Sequence, residues 1–254
     1  MSRTYQFNWK NAAFDYEPYP ICYVPNVLNE ADYKILSESY PDIASFKFKE
    51  HLGDKYSLAE KNNKDFYYQF LKQSQPWSDF YRAIKSKKFI EEILALLKQH
   101  NIDLGIKDFA FKAGEIKRRR SISRTIDRII DRAALGSRFE FSIMRANGGH
   151  ILPHTDHASK LVTVVFSFIK PNEWDPAWGG GTNVELPKDR TLSYNFVNKQ
   201  MQFAEMDILK TFPFRPNQAL LFVKTFNSFH SVLPMTGPES GLRKTVTINI
   251  ENLR

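Results

Sequence analysis

One cysteine, Cys22, stands in 254 residues. No internal disulfide can form, no cysteine-based zinc site can assemble, and a reducing, cytoplasmic compartment is the expectation. No apolar run is long. "LVTVVFSFI" (161–169) is far shorter than the ~20 residues a helix needs to cross a bilayer, so no membrane partner is expected. The opening "MSRTYQFNWKNAAFDYEPYP" has no apolar core of a secretory leader. Internal repeats and low-complexity linkers are absent as well, which predicts a single domain over 1–254. Glycine is scarce at 11 residues, so the clusters at 148–149 and 179–181 stand out.

What the chain does have is positive charge, formally +8, unevenly spread. Between Lys112 and Arg138 lie nine Lys/Arg against Glu115, Asp127 and Asp131. Arg124 with Asp127 and Arg128 with Asp131 are i,i+3 neighbours that partly neutralise each other, as on a solvated helix face. The same run, with Arg118, Arg119 and Arg120 adjacent, also suits an anionic substrate or partner.

Two kinds of patterning divide the chain near residue 105. Residues 1–105 read as mostly helical. "NEADYKILSESYP" offers Asn29 as N-cap, Tyr33, Leu36 and Tyr40 on one face, and Pro41 as a stop. "SKKFIEEILALLKQHN" is capped by Ser86 and carries Phe89, Ile90, Ile93, Leu94 and Leu97 as an apolar stripe. "HLGDKYSLAEKNNKDFYYQF" between them is turn-rich and ambiguous. From 106 to 254 the pattern turns to strands. "RFEFSIMR" and "RKTVTINIE" alternate, and "KLVTVVFSFI" and "NQALLFVKTF" are β-rich runs between Gly/Pro/Asn turns, as in a sandwich or barrel.

Within that half, "GGHILPHTDHASK" holds three of the chain's six histidines, His150, His154 and His157, beside Asp156. On a strand, His154 and Asp156 point the same way, so an imidazole and a carboxylate lie side by side. A third ligand must come from another strand, and His230 in "NSFHSVLP" is the best placed. Two histidines and one carboxylate leave three positions of a metal open, the arrangement found in non-haem Fe(II) oxygenases. Farther on, Arg243, Thr245, Thr247 and Asn249 share one strand face, with Val246, Ile248 and Ile250 on the other. A polar face inside a β-core suggests a polar cavity. Arg243 at its mouth is either a surface charge or a bidentate clamp for a carboxylate.

The order "PHTD" (153–156), "GGGT" (179–182), "FHSVLP" (229–234) and "GLRKTVTI" (241–248) resembles the Fe(II)/2-oxoglutarate-dependent dioxygenases, in particular the prolyl-hydroxylase-like branch. The resemblance spans roughly 138–250. It implies an α+β fold: a double-stranded β-helix (jelly-roll, cupin-like) core over 106–254 with N-terminal flanking helices. It implies iron on His154, Asp156 and His230, and Arg243 holding the distal carboxylate of 2-oxoglutarate. It implies oxidation of a C–H bond by O2, with release of succinate and CO2. Related halogenases lack the carboxylate that Asp156 supplies, which points here to hydroxylation or a sibling oxidation. The stretch "TGPES" lengthens the gap from His230, leaving Lys244 as an alternative to Arg243; strand parity favours Arg243 with Thr245. Thr163 and Ser167, which share a face of the next strand, are candidate hydrogen-bond partners of the cosubstrate, or simply strand residues. His150 and His157 are extra to the pattern. The substrate, small molecule or peptide, is left open. Two other classes compete: a metal-binding cupin that is not an oxygenase, and a basic nucleic-acid-binding protein, for which no recognisable motif is present.

Overall fold

The computed structural model describes residues 2–50, 53–113 and 133–253. The basic run 117–132, and with it Arg118, Arg119 and Arg120, lies outside the described residues. The described chain is a mixed structure of helices and mostly antiparallel strands.

The chain opens with β1 (Ala13–Asp15) and β2 (Ile21–Pro25), then α1 (Glu30–Glu38), β3 (Lys47–Lys49) and β4 (Lys55–Ala59). Three helices follow, α2 (Lys64–Gln73), α3 (Gln75–Ile84) and α4 (Lys87–Gln99), before the short β5 (Phe109–Phe111). The second half is β6 (Ala133–Arg145), β7 (Ile151–His154), β8 (Lys160–Ser167), β9 (Thr182–Pro187), β10 (Met206–Phe212), β11 (Gln218–Val223), β12 (His230–Val232) and β13 (Leu242–Asn252). These strands make two sheets. The larger runs β1-β2-β11-β8-β13-β6-β4-β3, with β5 added parallel to β6. The smaller runs β10-β9-β12-β7.

The helix signals act as the sequence suggests. Asn29 caps α1 by accepting from the Asp32 amide at 2.9 Å, and Ser86 caps α4 by accepting from Phe89 at 3.1 Å. Phe89, Ile90, Ile93 and Leu97 are buried. The first 105 residues are nevertheless less helical than their patterning predicts. They supply β1 to β4, four strands of the larger sheet. Strands of three to five residues carry too few alternations to be read from periodicity. The ambiguous stretch resolves into β4 and α2, joined by a turn that Asn63 braces by accepting from the Ala59 amide at 3.1 Å.

The long central strands decide where everything else lies. On β13, Val246, Ile248 and Ile250 are fully buried against the helices, alongside Val162, Val164 and Phe166 of β8 and Phe139 and Phe141 of β6. The alternate residues of the same strands face the smaller sheet. Tyr19, Ile21, Leu220 and Phe222 on one side pack there against Val184 and Phe212 on the other. Where that layer turns polar, a cleft of about 700 Å³ opens. No helix among the described residues is long and apolar enough to cross a membrane.

Trp77 is the keystone of the helix-facing layer. It is fully buried, lies edge-on to Phe141 and Phe168 with ring centroids at 4.9 and 4.8 Å, and donates its indole N–H to the Ser39 carbonyl at 2.9 Å. Trp77→Ala should lower the unfolding free energy by about 3–5 kcal/mol, because a large cavity and an orphaned carbonyl replace dense contacts. Urea denaturation followed by circular dichroism measures this.

Candidate metal centre and cleft

Strand pairing brings two histidines together. In the β12–β7 register His230 lies opposite His154, and their ring centroids are 4.4 Å apart. Asp156 is not in the strand itself but in the turn just after β7. It still points into the cleft, and one ligand atom from each of His154, Asp156 and His230 fits within a 4.8 Å span. The three sequence candidates therefore converge.

The protonation state suits a metal. His154 Nδ1 is 2.9 Å from the Leu152 carbonyl and His230 Nδ1 is 3.0 Å from the Ser228 carbonyl. A carbonyl only accepts, so each Nδ1 carries a proton, and in the neutral ring the lone pair then sits on Nε2. Burial, reinforced by the neighbouring His230, pushes the His154 imidazolium down to about 3; burial lowers His230 too. Burial alone would raise Asp156, but Lys160 and the two histidines outweigh it and hold the carboxyl well below its usual range. Two neutral imidazoles and one carboxylate are a donor set that fits a divalent transition metal.

Farther along β13, Arg243 turns into the same cleft and is 5% exposed. Its Nε donates to the Gly180 carbonyl at 2.7 Å, and its guanidinium lies over the Phe214 ring at 4.6 Å. It makes no ion pair with a carboxylate among the described residues. Gly180 has φ +79°, and a Cβ there would sit 2.8 Å from Trp174 and 3.3 Å from Arg243 Cδ. The glycine run thus lets backbone approach the arginine. Lys244, the alternative, points the other way and pairs with Glu173 at 2.5 Å. Burial lowers the Arg243 guanidinium to about 10, which leaves it cationic at neutral pH.

Thr245 is buried and lines the cleft beside Arg243. Its carbonyl accepts from Tyr40 at 2.8 Å, a tie from α1's trailing loop to β13. Thr163 lines the cleft as well, with its hydroxyl on Asp156 Oδ2 at 2.5 Å and 3.0 Å from Asn249 Oδ1. Ser167 bonds the Arg215 carbonyl and accepts from the Gln218 amide, and it does not line the cleft. His150 stands outside the cleft against Phe203, and His157 is an exposed residue at its mouth.

Several residues had no sequence signal. Lys160, at the head of β8, reaches back to Asp156 Oδ1 at 2.5 Å. Glu185 is buried on β9, the strand beside His230's; Oε1 accepts from Ser231 at 2.8 Å, Oε2 has no partner among the described residues, and burial pushes the carboxyl up to about 7. On the rim, Asn198 and Gln200 line the cleft from a loop that exposes Tyr194, Phe196 and Val197. The i,i+4 spacing of Asp156 and Lys160 was visible, but it reads as a pair only once the intervening turn is known.

No family model matches the chain, and no curated protein matches it by sequence. Solved structures do. A Pseudomonas putida prolyl-4-hydroxylase superposes with a TM-score of 0.50 over 92% of this chain and 93% of its own, at 11% identity. The non-haem alpha-ketoglutarate-dependent epimerase SnoN from nogalamycin biosynthesis gives 0.50 over 96% of this chain and 78% of its own, at 12% identity. SnoN is also known in complex with Fe3+, alpha-ketoglutarate and nogalamycin RO. At these identities the likeness is one of fold: the chain shares the fold of this prolyl-4-hydroxylase and of SnoN.

Lys55, which lines the cleft, belongs to an ion pair with a pH signature of its own. Burial would raise Glu140, but Lys55 at 2.8 Å, helped by Arg138 and the Ser57 hydroxyl, holds it down to about 2. A depressed carboxyl stabilises the fold above its unfolded value near 4.5, and that stability is lost as pH falls towards 2. Glu140→Gln should lower stability at pH 7 by about 1–3 kcal/mol, since Lys55 loses its partner, and should flatten the acid limb between these values. Melting temperatures of both proteins from pH 7 to pH 2 test this.

Proposed function

We propose that the protein is an Fe(II)- and 2-oxoglutarate-dependent dioxygenase, a hydroxylase of an unactivated C–H bond, built on a double-stranded β-helix. In this reading 1–254 is a single domain, with 106–254 as the catalytic core and the N-terminal region as its support. The observation that carries it is Arg243. A buried guanidinium with no carboxylate partner among the described residues, in the same cleft as a His-Asp-His cluster, fits an anionic ligand that also reaches the metal.

His154, Asp156 and His230 would hold Fe(II), which supplies the redox chemistry that couples O2 to oxidative decarboxylation of 2-oxoglutarate. The overall conversion balances as substrate C–H, 2-oxoglutarate and O2 giving substrate C–OH, succinate and CO2. Arg243 clamps the distal carboxylate, Phe214 and the Gly180 carbonyl fix the guanidinium plane, and Thr245 lies beside it as a hydroxyl donor. Thr163 keeps Asp156 aimed and neighbours the cosubstrate's path along β8. The Nδ1–carbonyl bonds hold both imidazoles in the tautomer that presents Nε2.

The substrate is a small molecule or a peptide with an anionic group. Besides Arg243, the cleft is lined by Lys61 and by Lys55, Arg138 and Lys160, which pair with Glu140, Glu251 and Asp156. Arg243 and Lys61 are the cations left over among the described residues, and they favour an anion at the entrance. A non-oxygenase cupin gives no reason to bury Arg243, and a nucleic-acid role leaves the cluster unused.

Oxygen-dependent conversion of 2-oxoglutarate to succinate by the purified protein with Fe(II) is the direct test; its absence at every metal and substrate tried would overturn the reading. Alanine at His154, Asp156 or His230 should abolish turnover and most Fe(II) binding, whereas His157→Ala should keep both. Arg243→Ala should raise the KM for 2-oxoglutarate about a hundredfold or more with iron still bound. Arg243→Lys should recover only part, since the planar fork is gone, and Lys244→Ala should leave that KM unchanged.

A further inference from the structure

The unusual feature of the cluster is that its carboxylate is already engaged. Thr163 occupies Asp156 Oδ2 at 2.5 Å and the Lys160 ammonium occupies Oδ1 at 2.5 Å. The Lys160 side chain is 13% exposed, so water screens its charge poorly. Asp156 is its one carboxylate partner among the described residues. The turn 155–159 sets the contact, since Lys160 is the first residue of β8 and the chain reverses between β7 and β8.

We infer that Lys160 is a resident cation that competes with the metal for Asp156. This rests on the metal reading given above. Each carboxylate oxygen has two lone-pair directions, so a metal on Oδ1 must share it with the ammonium or displace it, and a metal on Oδ2 still lies within a carboxylate's width of that charge. Either way Lys160 opposes metal binding, by repulsion at a few ångströms in a poorly hydrated cleft or by having to be displaced. In return it neutralises the buried Asp156 carboxylate through a direct contact when no metal is bound. Lys160 thus stabilises the metal-free fold and sets the metal affinity below what the three ligands alone would give. The surroundings do not supply a substitute. Lys224, the other lysine whose charge reaches Asp156, donates to its own neighbour's carbonyl at Thr225.

A plain orienting role makes the opposite prediction. If Lys160 only aimed the carboxylate, removing it would weaken metal binding. The sign of the change therefore decides. The full chain, stripped of metal, is titrated with Mn(II) by calorimetry without cosubstrate, as wild type, Lys160→Met, Lys160→Gln and Lys160→Arg. Glutamine keeps a hydrogen-bond donor to Asp156 without the charge. The Mn(II) Kd should fall roughly tenfold or more in Lys160→Met and Lys160→Gln, and stay within about threefold of wild type in Lys160→Arg. The metal-free melting temperature should drop in the Met and Gln variants, and Mn(II) should raise it by more than it raises wild type. Unchanged or weaker Mn(II) binding in both neutral variants would overturn the inference while leaving the metal centre standing. If wild type binds no Mn(II), or His230→Ala binds it equally well, the metal reading itself falls and this inference with it.

Discussion

The two-faced pleat of β13 is the constraint on which the molecule depends. Successive side chains of a strand leave on opposite sides, so Val246, Ile248 and Ile250 commit one face to the helix-packed core. The other face must then be Arg243, Thr245, Thr247 and Asn249. A slip of one residue would bury Lys244 in the cleft and drive Arg243 into the aromatic layer around Trp77. The eleven-residue pairing with β6, from Leu242–Arg145 to Asn252–Leu135, makes that slip expensive. The apolar requirement of the core thereby determines which cation faces the cleft.

The smaller sheet answers this face with the two histidines of the His-Asp-His cluster. It contributes His230 and His154 as a directly opposed pair on adjacent strands, an arrangement held by backbone hydrogen bonding. The carbonyls of Leu152 and Ser228, each two residues before its histidine, fix the tautomers. Local chain geometry prepares the ligands, and long-range pairing assembles them. Asp156 is the exception, because it sits beyond the end of β7 and depends on side chains, Thr163 and Lys160, for its aim.

The balance of buried charge ties these parts together. Glu140 finds Lys55 and Asp156 finds Lys160, so each of these carboxylates has a cation close by. Arg243 is held instead by a carbonyl and a ring, neither of which cancels its charge, and has no carboxylate partner among the described residues. Within the smaller sheet, on β9, Glu185 meets the problem of an unpaired buried charge differently, since burial raises its carboxyl towards neutrality.

Sequence alone determined what strict alternation and short motifs can encode. The caps at Asn29 and Ser86, the apolar stripe of α4, the two faces of β13 and the candidacy of His154, Asp156 and His230 were legible because each depends on residues a few positions apart. The short strands β1 to β4 were not, since three to five residues carry little periodicity and their place in the sheet comes from partners such as β11 and β6, far away in the chain. Only the tertiary structure put His230 opposite His154, 76 positions apart in this numbering. It alone brought Gly180 and Phe214 to Arg243, folded Lys160 back onto Asp156, and left Glu185 Oε2 without a partner among the described residues. Those contacts join segments whose meeting is set by sheet order and loop path, and no local pattern of residue types carries that information.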